Sequence, residues 1–328
     1  MDSIKFIIVG TGYMAKEYAK SLKSLNIDFS VIGNTHEKCN IFKKDFKVKV
    51  YSGGLEKNIN KINDFTHIII ATPVELLNDH LELVINLSEI KNILIEKPGG
   101  LDKNRLMSVA INIMGTNRNV YIAYNRRFYE SAIKAKEIIY KDGGPTSFHF
   151  NVSELIHTID MDKFNENVLK NWFVANTSHL VDLAFYLCGW PQKINCNVYE
   201  GVNWNKNSIG IYIGTGETEI NVPFTYHGDW TSAGRWSLEI YTRDHSLLFC
   251  PLELLQIRNK GEVQYNNIEL DKDSCKEGIT NMIQAFINRS DDLPSLIEQE
   301  FAIDILEKMN TNNSYNMEIK YSKLKLLK

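Results

Sequence analysis

The chain has 328 residues, 44% hydrophobic and 23% charged, with a formal net charge of −3. That length exceeds what one hydrophobic core usually serves, roughly 250–300 residues, so two domains are expected. The balanced charge offers no footprint for nucleic acid, and no run approaches the roughly 18 apolar residues of a membrane span. The first predicted strand, Ile4–Val9, is a continuous apolar run of the kind covered on both faces. A helix over Tyr13–Leu25 follows, then a strand Phe29–Ile32, a helix His36–Phe46 and a short strand Val48–Tyr51. The pattern continues with strand Thr66–Ala71, helix Val74–Leu87, strand Asn92–Ile95, helix Asp102–Ile113 and strand Val120–Ala123. Alternating strand and helix with buried strands predicts a doubly wound parallel sheet.

A helix over Ser131–Tyr140 and the turn Gly143-Gly144-Pro145 lead into a different texture. Strands are predicted at Ser147–Val152, Ile194–Tyr199, Ser208–Tyr212, Thr218–Val222, Trp236–Tyr241 and Ser246–Phe249, with a helix at Ser178–Leu187 between them. That spacing predicts an antiparallel sheet. Two helices close the pattern, one with Ile279, Met282, Ile283 and Phe286 on a face, the other with Ile297, Phe301 and Ile305. The fold class is therefore α/β: an N-terminal Rossmann doubly wound sheet over residues 1–122, then an α+β domain over 123–328.

The turn after the first strand reads Gly10-Thr11-Gly12-Tyr13-Met14-Ala15, a G-x-G-x-x-(G/A) pattern between a buried strand and a helix. In that context the glycines permit a tight turn and close approach of a pyrophosphate, and the helix start offers unpaired N–H groups. An NAD site wants an acid about 20 residues further on, at the second strand's tip, for the ribose 2′-hydroxyl. Here the tip is Gly33-Asn34-Thr35-His36, without a carboxylate. Asn34 and Thr35, with Lys38, would not repel a 2′-phosphate, so the cofactor is read as NADP or NAD, with a lean to NADP. Thr35 equally suits the cap of the next helix.

Five cysteines (Cys39, Cys188, Cys196, Cys250 and Cys275) show neither CxxC nor metal-like spacing with the histidines. Neither a disulfide framework nor a metal is expected, and a reducing cytoplasmic setting is. The N-terminal apolar run is too short for a signal peptide. Nucleophile-elbow, P-loop and HExxH patterns do not occur.

Lys97 ends a predicted buried strand, where open α/β sheets place ligands, and Pro98 follows it. An ammonium there can polarise a reacting oxygen, and partial desolvation would lower its pKa. The alternative is an ordinary surface lysine paired with Glu96.

The chain resembles the glucose–fructose oxidoreductase / inositol dehydrogenase / MocA-type (Gfo/Idh/MocA) oxidoreductases. The likeness is carried by the glycine turn, by Ala71-Thr72-Pro73, by Glu96-Lys97-Pro98, by Tyr124-Asn125-Arg126-Arg127-Phe128, and by His179-Leu180-Val181-Asp182-Leu183 with Gly189. The resemblance implies a nicotinamide at the carboxyl edge of the parallel strands, with Ala71, Thr72, Pro73, Glu96 and Pro98 among its contacts. It further implies a large open sheet in a second, substrate-binding and oligomerisation domain, and homodimers or homotetramers. The reaction implied is hydride transfer at a secondary alcohol or ketone of a sugar, inositol or nucleotide sugar, with surface-polysaccharide sugar biosynthesis as the setting by analogy.

In the family pattern an aspartate stands four residues before the acid/base histidine. Here Ala175 stands four before His179. Either His179 works with Lys97 alone, or Asn176 binds a substrate hydroxyl in the aspartate's stead, with Asp182 on the same helical face to orient the imidazole. Arg126, Arg127 and Asn125 follow the sixth strand beside the cleft, where a guanidinium either clamps a carboxylate or diphosphate or forms an interdomain salt bridge. Trp172 stacks on the nicotinamide or on a sugar face of the substrate, or lies in the core. Gly234-Arg235-Trp236 and Glu253 are further candidates for substrate contact. Loss of the aspartate keeps two alternatives open: a catalytically inactive NAD(P)- or sugar-sensing regulator of the same fold, and a redox-neutral lyase or epimerase with tightly bound nicotinamide.

Overall fold

The computed structural model describes residues 4–204, 207–271 and 275–317. They form two compact units, residues 4–125 with 275–301, and residues 126–204 and 207–271 with 302–317.

The first unit opens with β1 (Lys5–Val9), α1 (Tyr13–Ser24), β2 (Asp28–Ile32), α2 (His36–Phe46), β3 (Lys49–Tyr51) and the short α3 (Gly54–Asn58). It continues with β4 (His67–Ile70), α4 (Leu77–Leu87), β5 (Asn92–Glu96), α5 (Lys103–Ile113) and β6 (Asn119–Ala123). All six strands run parallel in the order β3-β2-β1-β4-β5-β6. Chain order reverses between β1 and β4. Their carboxyl ends therefore diverge into the crevice where such sheets take ligands. Phe6, Ile7 and Ile8 of β1 and Ile68, Ile69 and Ile70 of β4 are fully buried, as strands covered on both faces must be.

The second unit contains α6 (Glu130–Lys141), β7 (Pro145–Asn151), α7 (Glu166–Lys170), α8 (Ser178–Cys188), β8 (Pro191–Trp204) and β9 (Asn207–Thr218). After these come β10 (Pro223–Asp229), β11 (Ser237–Thr242), β12 (His245–Phe249), β13 (Gln256–Asn259) and β14 (Asn266–Asn267). In chain order come last α9 (Ile279–Ile287) of the first unit, α10 (Leu296–Met309), whose start also belongs to the first unit, and β15 (Asn313–Asn316) of the second. The sheet has nine strands, ordered β14-β13-β12-β11-β7-β10-β9-β8-β15. It is antiparallel except where β7 meets β10. One face carries Phe148, Phe150 and Phe224, and Phe185 of α8 meets each of the three edge-on at 5.2–6.0 Å.

Beyond the boundary expected after residue 122, residues 275–301 return to the first unit. α9 lies on α1, where Thr280 Oγ1 donates to Ser21 Oγ at 3.1 Å. The loop before α10 then covers the edge of β6: the Ile122 N–H donates to the Pro294 carbonyl at 2.9 Å, and Tyr121 bridges Ser295. An uncovered edge strand leaves unpaired backbone groups, and this segment satisfies them.

Two smaller expectations also differ. The strand expected at Thr218–Val222 is a turn closed by Thr218, whose N–H donates to the Val222 carbonyl at 2.9 Å and whose hydroxyl accepts from the Val222 N–H at 3.1 Å. Asn221 takes φ 62° there, and the real strand starts at Pro223 because apolar alternation runs unbroken through the turn. In α10, Leu296, Ala302, Ile303, Leu306 and Met309 are buried, whereas Ile297 and Phe301 are half-buried. Of the expected stripe, Ile305 is fully buried; the buried face otherwise lies beside it and includes Gln299, also fully buried.

Candidate active site

The glycine turn closes β1 and opens α1. Gly10 takes φ +123°, and a Cβ there would lie 2.3 Å from the Ala71 carbonyl oxygen, so glycine is required by the close approach of β1 and β4. Gly12 is different. It has φ −78° and caps α1 without a side-chain bond, and a Cβ built on it meets nothing within 4 Å. The first N–H groups of α1 thus face an open cradle, which fits a dinucleotide pyrophosphate. Thr11, Tyr13 and Met14 line the same turn, and Tyr13 is 66% exposed. Asn34 and Thr35 sit exposed at the tip of β2. Thr35 caps α2, its hydroxyl accepting from the Lys38 N–H at 3.4 Å.

The strands on the far side of the switch point supply the rest of this half. After β4, Ala71 is buried and Thr72 Oγ1 lies 3.0 Å from His80 Nδ1, with Pro73 next in the chain. At the end of β5, Tyr18 of α1 donates its hydroxyl to Glu96 Oε1 at 2.5 Å. Burial raises the Glu96 carboxyl above its ordinary pKa, while the Tyr18 bond and the nearby Lys97 and Lys276 ammonium groups pull it down. Lys97 is half-buried and precedes a cis peptide to Pro98. The Pro98 carbonyl accepts from Gln299 Nε2 at 2.9 Å, and the same amide donates to the Tyr124 hydroxyl at 3.1 Å. Gln299 therefore ties the ends of β5 and β6 together. Asn125 is buried, with Nδ2 donated to the Glu277 carbonyl at 3.1 Å.

The second unit holds its own constellation. Arg126 lies over the rings of Trp236 (5.2 Å) and Tyr129 (5.9 Å), and its Nε is buried without a hydrogen-bond partner among the described residues. Burial lowers its pKa, opposed by Tyr129, Glu253 and Glu154. Trp236 and Glu253, two of the further candidates, thus belong beside Arg126; Gly234 and Arg235 adjoin Trp236 in the chain.

Arg127 is engaged differently. Its Nε donates to Asp182 Oδ2 at 2.8 Å and its Nη2 to Oδ1 at 2.5 Å, with both side chains 2% exposed. This salt bridge lies within the second unit, not between domains, and it occupies both oxygens of the carboxylate expected to orient His179.

His179 is buried in the first turn of α8. Immediately before it, residues Phe173–Thr177 form one π-helical turn, a local irregularity frequent at functional sites. Ala175 and Asn176 are half-buried on that turn. The carboxylate of Glu154, buried in the segment after β7, accepts from Asn176 Nδ2 at 3.0 and 3.2 Å and from Thr177 Oγ1 at 2.7 Å. Two carboxylate oxygens accept only, so they hold the amide with its NH2 inward and its Oδ1 as the remaining acceptor. Trp172 is buried, its ring edge-on to Phe164 at 5.0 Å.

Glu154, Gln299 and Lys276 were missed from sequence. Only Gln299, a polar residue on an apolar helix stripe, left a local signal. Among the described residues no cluster of three or more His, Cys, Asp or Glu could hold a metal ion, and no helix is long and apolar enough to cross a membrane.

No family model and no curated protein matches the chain by sequence. Solved structures do. Levoglucosan dehydrogenase in complex with NADH and L-sorbose aligns with TM-score 0.79 at 14% identity, covering 97% of this chain and 100% of that one. UDP-N-acetylglucosamine 3-dehydrogenase from Acidithiobacillus ferrooxidans aligns at 0.72 and 12%, covering 94% and 97%. An oxidoreductase from Thermotoga maritima aligns at 0.74 and 17%, covering 96% and 98%. At these identities the likeness is one of fold.

Proposed function

We propose that this protein is a nicotinamide-dependent oxidoreductase of the Gfo/Idh/MocA type, acting on a secondary alcohol or ketone of a sugar-type substrate. The observation that carries the proposal is the open cradle at Gly12, set at the switch point of a β3-β2-β1-β4-β5-β6 sheet with Lys97 at the end of β5. The names of the similar folds agree with it, being a levoglucosan dehydrogenase bound to NADH and a nucleotide-sugar dehydrogenase. When bound, the nicotinamide supplies hydride exchange at its C4.

The chain's own residues do the rest. The N–H groups that open α1 hold the pyrophosphate, and Thr11, Tyr13, Met14 and the Ala71–Pro73 segment flank the dinucleotide. Lys97 hydrogen-bonds the reacting oxygen and stabilises the charge on it. His179 exchanges the proton. Asn176 offers its fixed Oδ1 to a substrate hydroxyl, taking the acceptor role of the carboxylate missing at Ala175. Arg126, a buried cation with one N–H unused among the described residues, suits a substrate carboxylate or phosphate. At the tip of β2, Asn34 and Thr35 favour NADPH over NADH, and tenfold tighter NADH binding, about 1.4 kcal/mol, would reverse that preference.

The test combines fluorescence titration of NADH and NADPH with turnover on levoglucosan and UDP-N-acetylglucosamine as probes. Lys97→Ala lowers turnover by about 10²–10⁴-fold, the usual worth of an acid/base group, and leaves cofactor affinity within a few fold. His179→Ala costs less, because its aspartate is gone. Failure of the wild type to bind either dinucleotide sinks the proposal. Ala175 favours one second reading, a ligand-sensing regulator; tight dinucleotide binding and ligand binding without any turnover would select it.

A further inference from the structure

The glycine turn contains no cation; on α1, Lys16 pairs with Asp45 at 3.0 Å, Lys20 with Glu17 at 2.7 Å, and Lys23 lies over the Phe46 ring at 5.6 Å. A cation reaches the turn from much later in the chain. Lys276 places its Nζ 3.2 Å from Met14 Sδ and 4.9 Å from the centroid of the Tyr13 ring. These are the first two residues of α1, directly after the open cradle at Gly12.

The placement is built rather than incidental. The Lys276 carbonyl accepts from the Ile279 N–H at 3.2 Å in the turn that starts α9. The next carbonyl, that of Glu277, is held by Asn125 Nδ2 at 3.1 Å. α9 itself is fastened to α1 through Thr280 and Ser21. Three anchors within five residues thus hold the ammonium over the start of α1. Half-buried there, it interacts with a dianion more strongly than an ammonium in bulk water does.

We propose that Lys276 is a cofactor-holding residue, its ammonium pairing with the pyrophosphate of the dinucleotide, so that the returning segment supplies a full positive charge that the glycine turn lacks. This rests on the dinucleotide reading above. It also gives the Asn125 amide a positioning role, through the Glu277 carbonyl.

The experiment measures dissociation constants of NADH, NADPH and ADP-ribose for the wild type, Lys276→Met and Lys276→Arg, each at low and high salt, beside the unfolding temperature of each unliganded protein. Lys276→Met weakens all three ligands by about ten- to hundredfold, the size of a charge-assisted contact, and unfolds within about 2 °C of the wild type, less than the roughly 2–4 °C that follows 1 kcal/mol in a domain of this size. Lys276→Arg retains most of the affinity. The gap between wild type and Lys276→Met narrows at high salt, as screening requires. Equal affinity in wild type and Lys276→Met overturns the inference and leaves the dinucleotide reading standing. A loss that ignores salt, or that comes with a lowered unfolding temperature and is shared by Lys276→Arg, assigns Lys276 a structural role and overturns it too. A wild type that binds none of the three ligands removes both readings together.

Discussion

Gly10 and Gly12 are two residues apart and meet opposite constraints, so they separate folding from binding in one pair of substitutions. Gly10 combines φ +123° with a 2.3 Å approach to the Ala71 carbonyl oxygen. Gly10→Ala therefore strains the backbone and pushes β1 from β4, and it lowers stability as well as affinity. Gly12 has an ordinary φ of −78° and open space where a side chain would go. Gly12→Val should leave the unfolding temperature near that of the wild type and abolish NADH and NADPH binding, because its methyl groups fill the cradle. Thermal unfolding and fluorescence titration of the two variants check this, and a folded Gly12→Val with unchanged affinity would falsify the cradle.

At the scale of elements, α8 is fixed to the 3₁₀ turn over Asn125–Phe128 by one buried ion pair, Arg127 with Asp182. Burying two charges is costly, and the pair's geometry offsets that cost only while both partners are present. Asp182→Ala removes the carboxylate partner of a buried guanidinium, and should lower the unfolding free energy by about 3–5 kcal/mol. Replacing both partners, Arg127→Met with Asp182→Leu, should recover most of the loss. Urea titration of the three proteins decides it: a single variant as stable as the wild type would show that the pair does not hold α8. Since His179 lies in the first turn of α8, loosening it should also reduce turnover in Asp182→Ala more than cofactor affinity.

At the scale of the whole molecule, His67 is one residue that couples folding to pH. It is buried on β4, stacked on Phe6 of β1 at 4.8 Å and edge-on to Phe286 of α9 at 5.1 Å. Burial, with the Arg289 charge second, pushes its pKa down from 6.5 to about 4. The unfolded chain therefore takes up this proton near pH 6.5, whereas the folded protein resists it until about pH 4. Stability is full above pH 6.5 and falls progressively as the pH drops to about 4, where this group's contribution levels off. A shift of this size corresponds to at most about 3 kcal/mol. His67→Gln should flatten the loss of unfolding free energy across that window. An unchanged pH profile in the variant would place the acid sensitivity elsewhere.

Those features that repeat along the chain, or sit in one turn of it, were determined by sequence alone. The parallel strands announce themselves as apolar runs, α1, α2 and α8 as periodic segments, and Gly10–Ala15 and Lys97 by their place at strand ends, because each is set by neighbours a few residues away. Thr35 likewise shows its capping role locally. Tertiary structure alone decided what Asn125, Arg127, Gln299 and Lys276 do. Arg127 meets Asp182 across 55 residues, Gln299 meets Pro98 across 201, and Lys276 meets Met14 across 262. Such pairs have no periodicity to betray them: a lysine before a helix reads as surface, and a second domain reads as continuous to the chain's end. The Gln299 and Lys276 contacts exist because the exposed edge of β6 and the apolar face of α1 have to be covered, and residues 275–301 return to cover them.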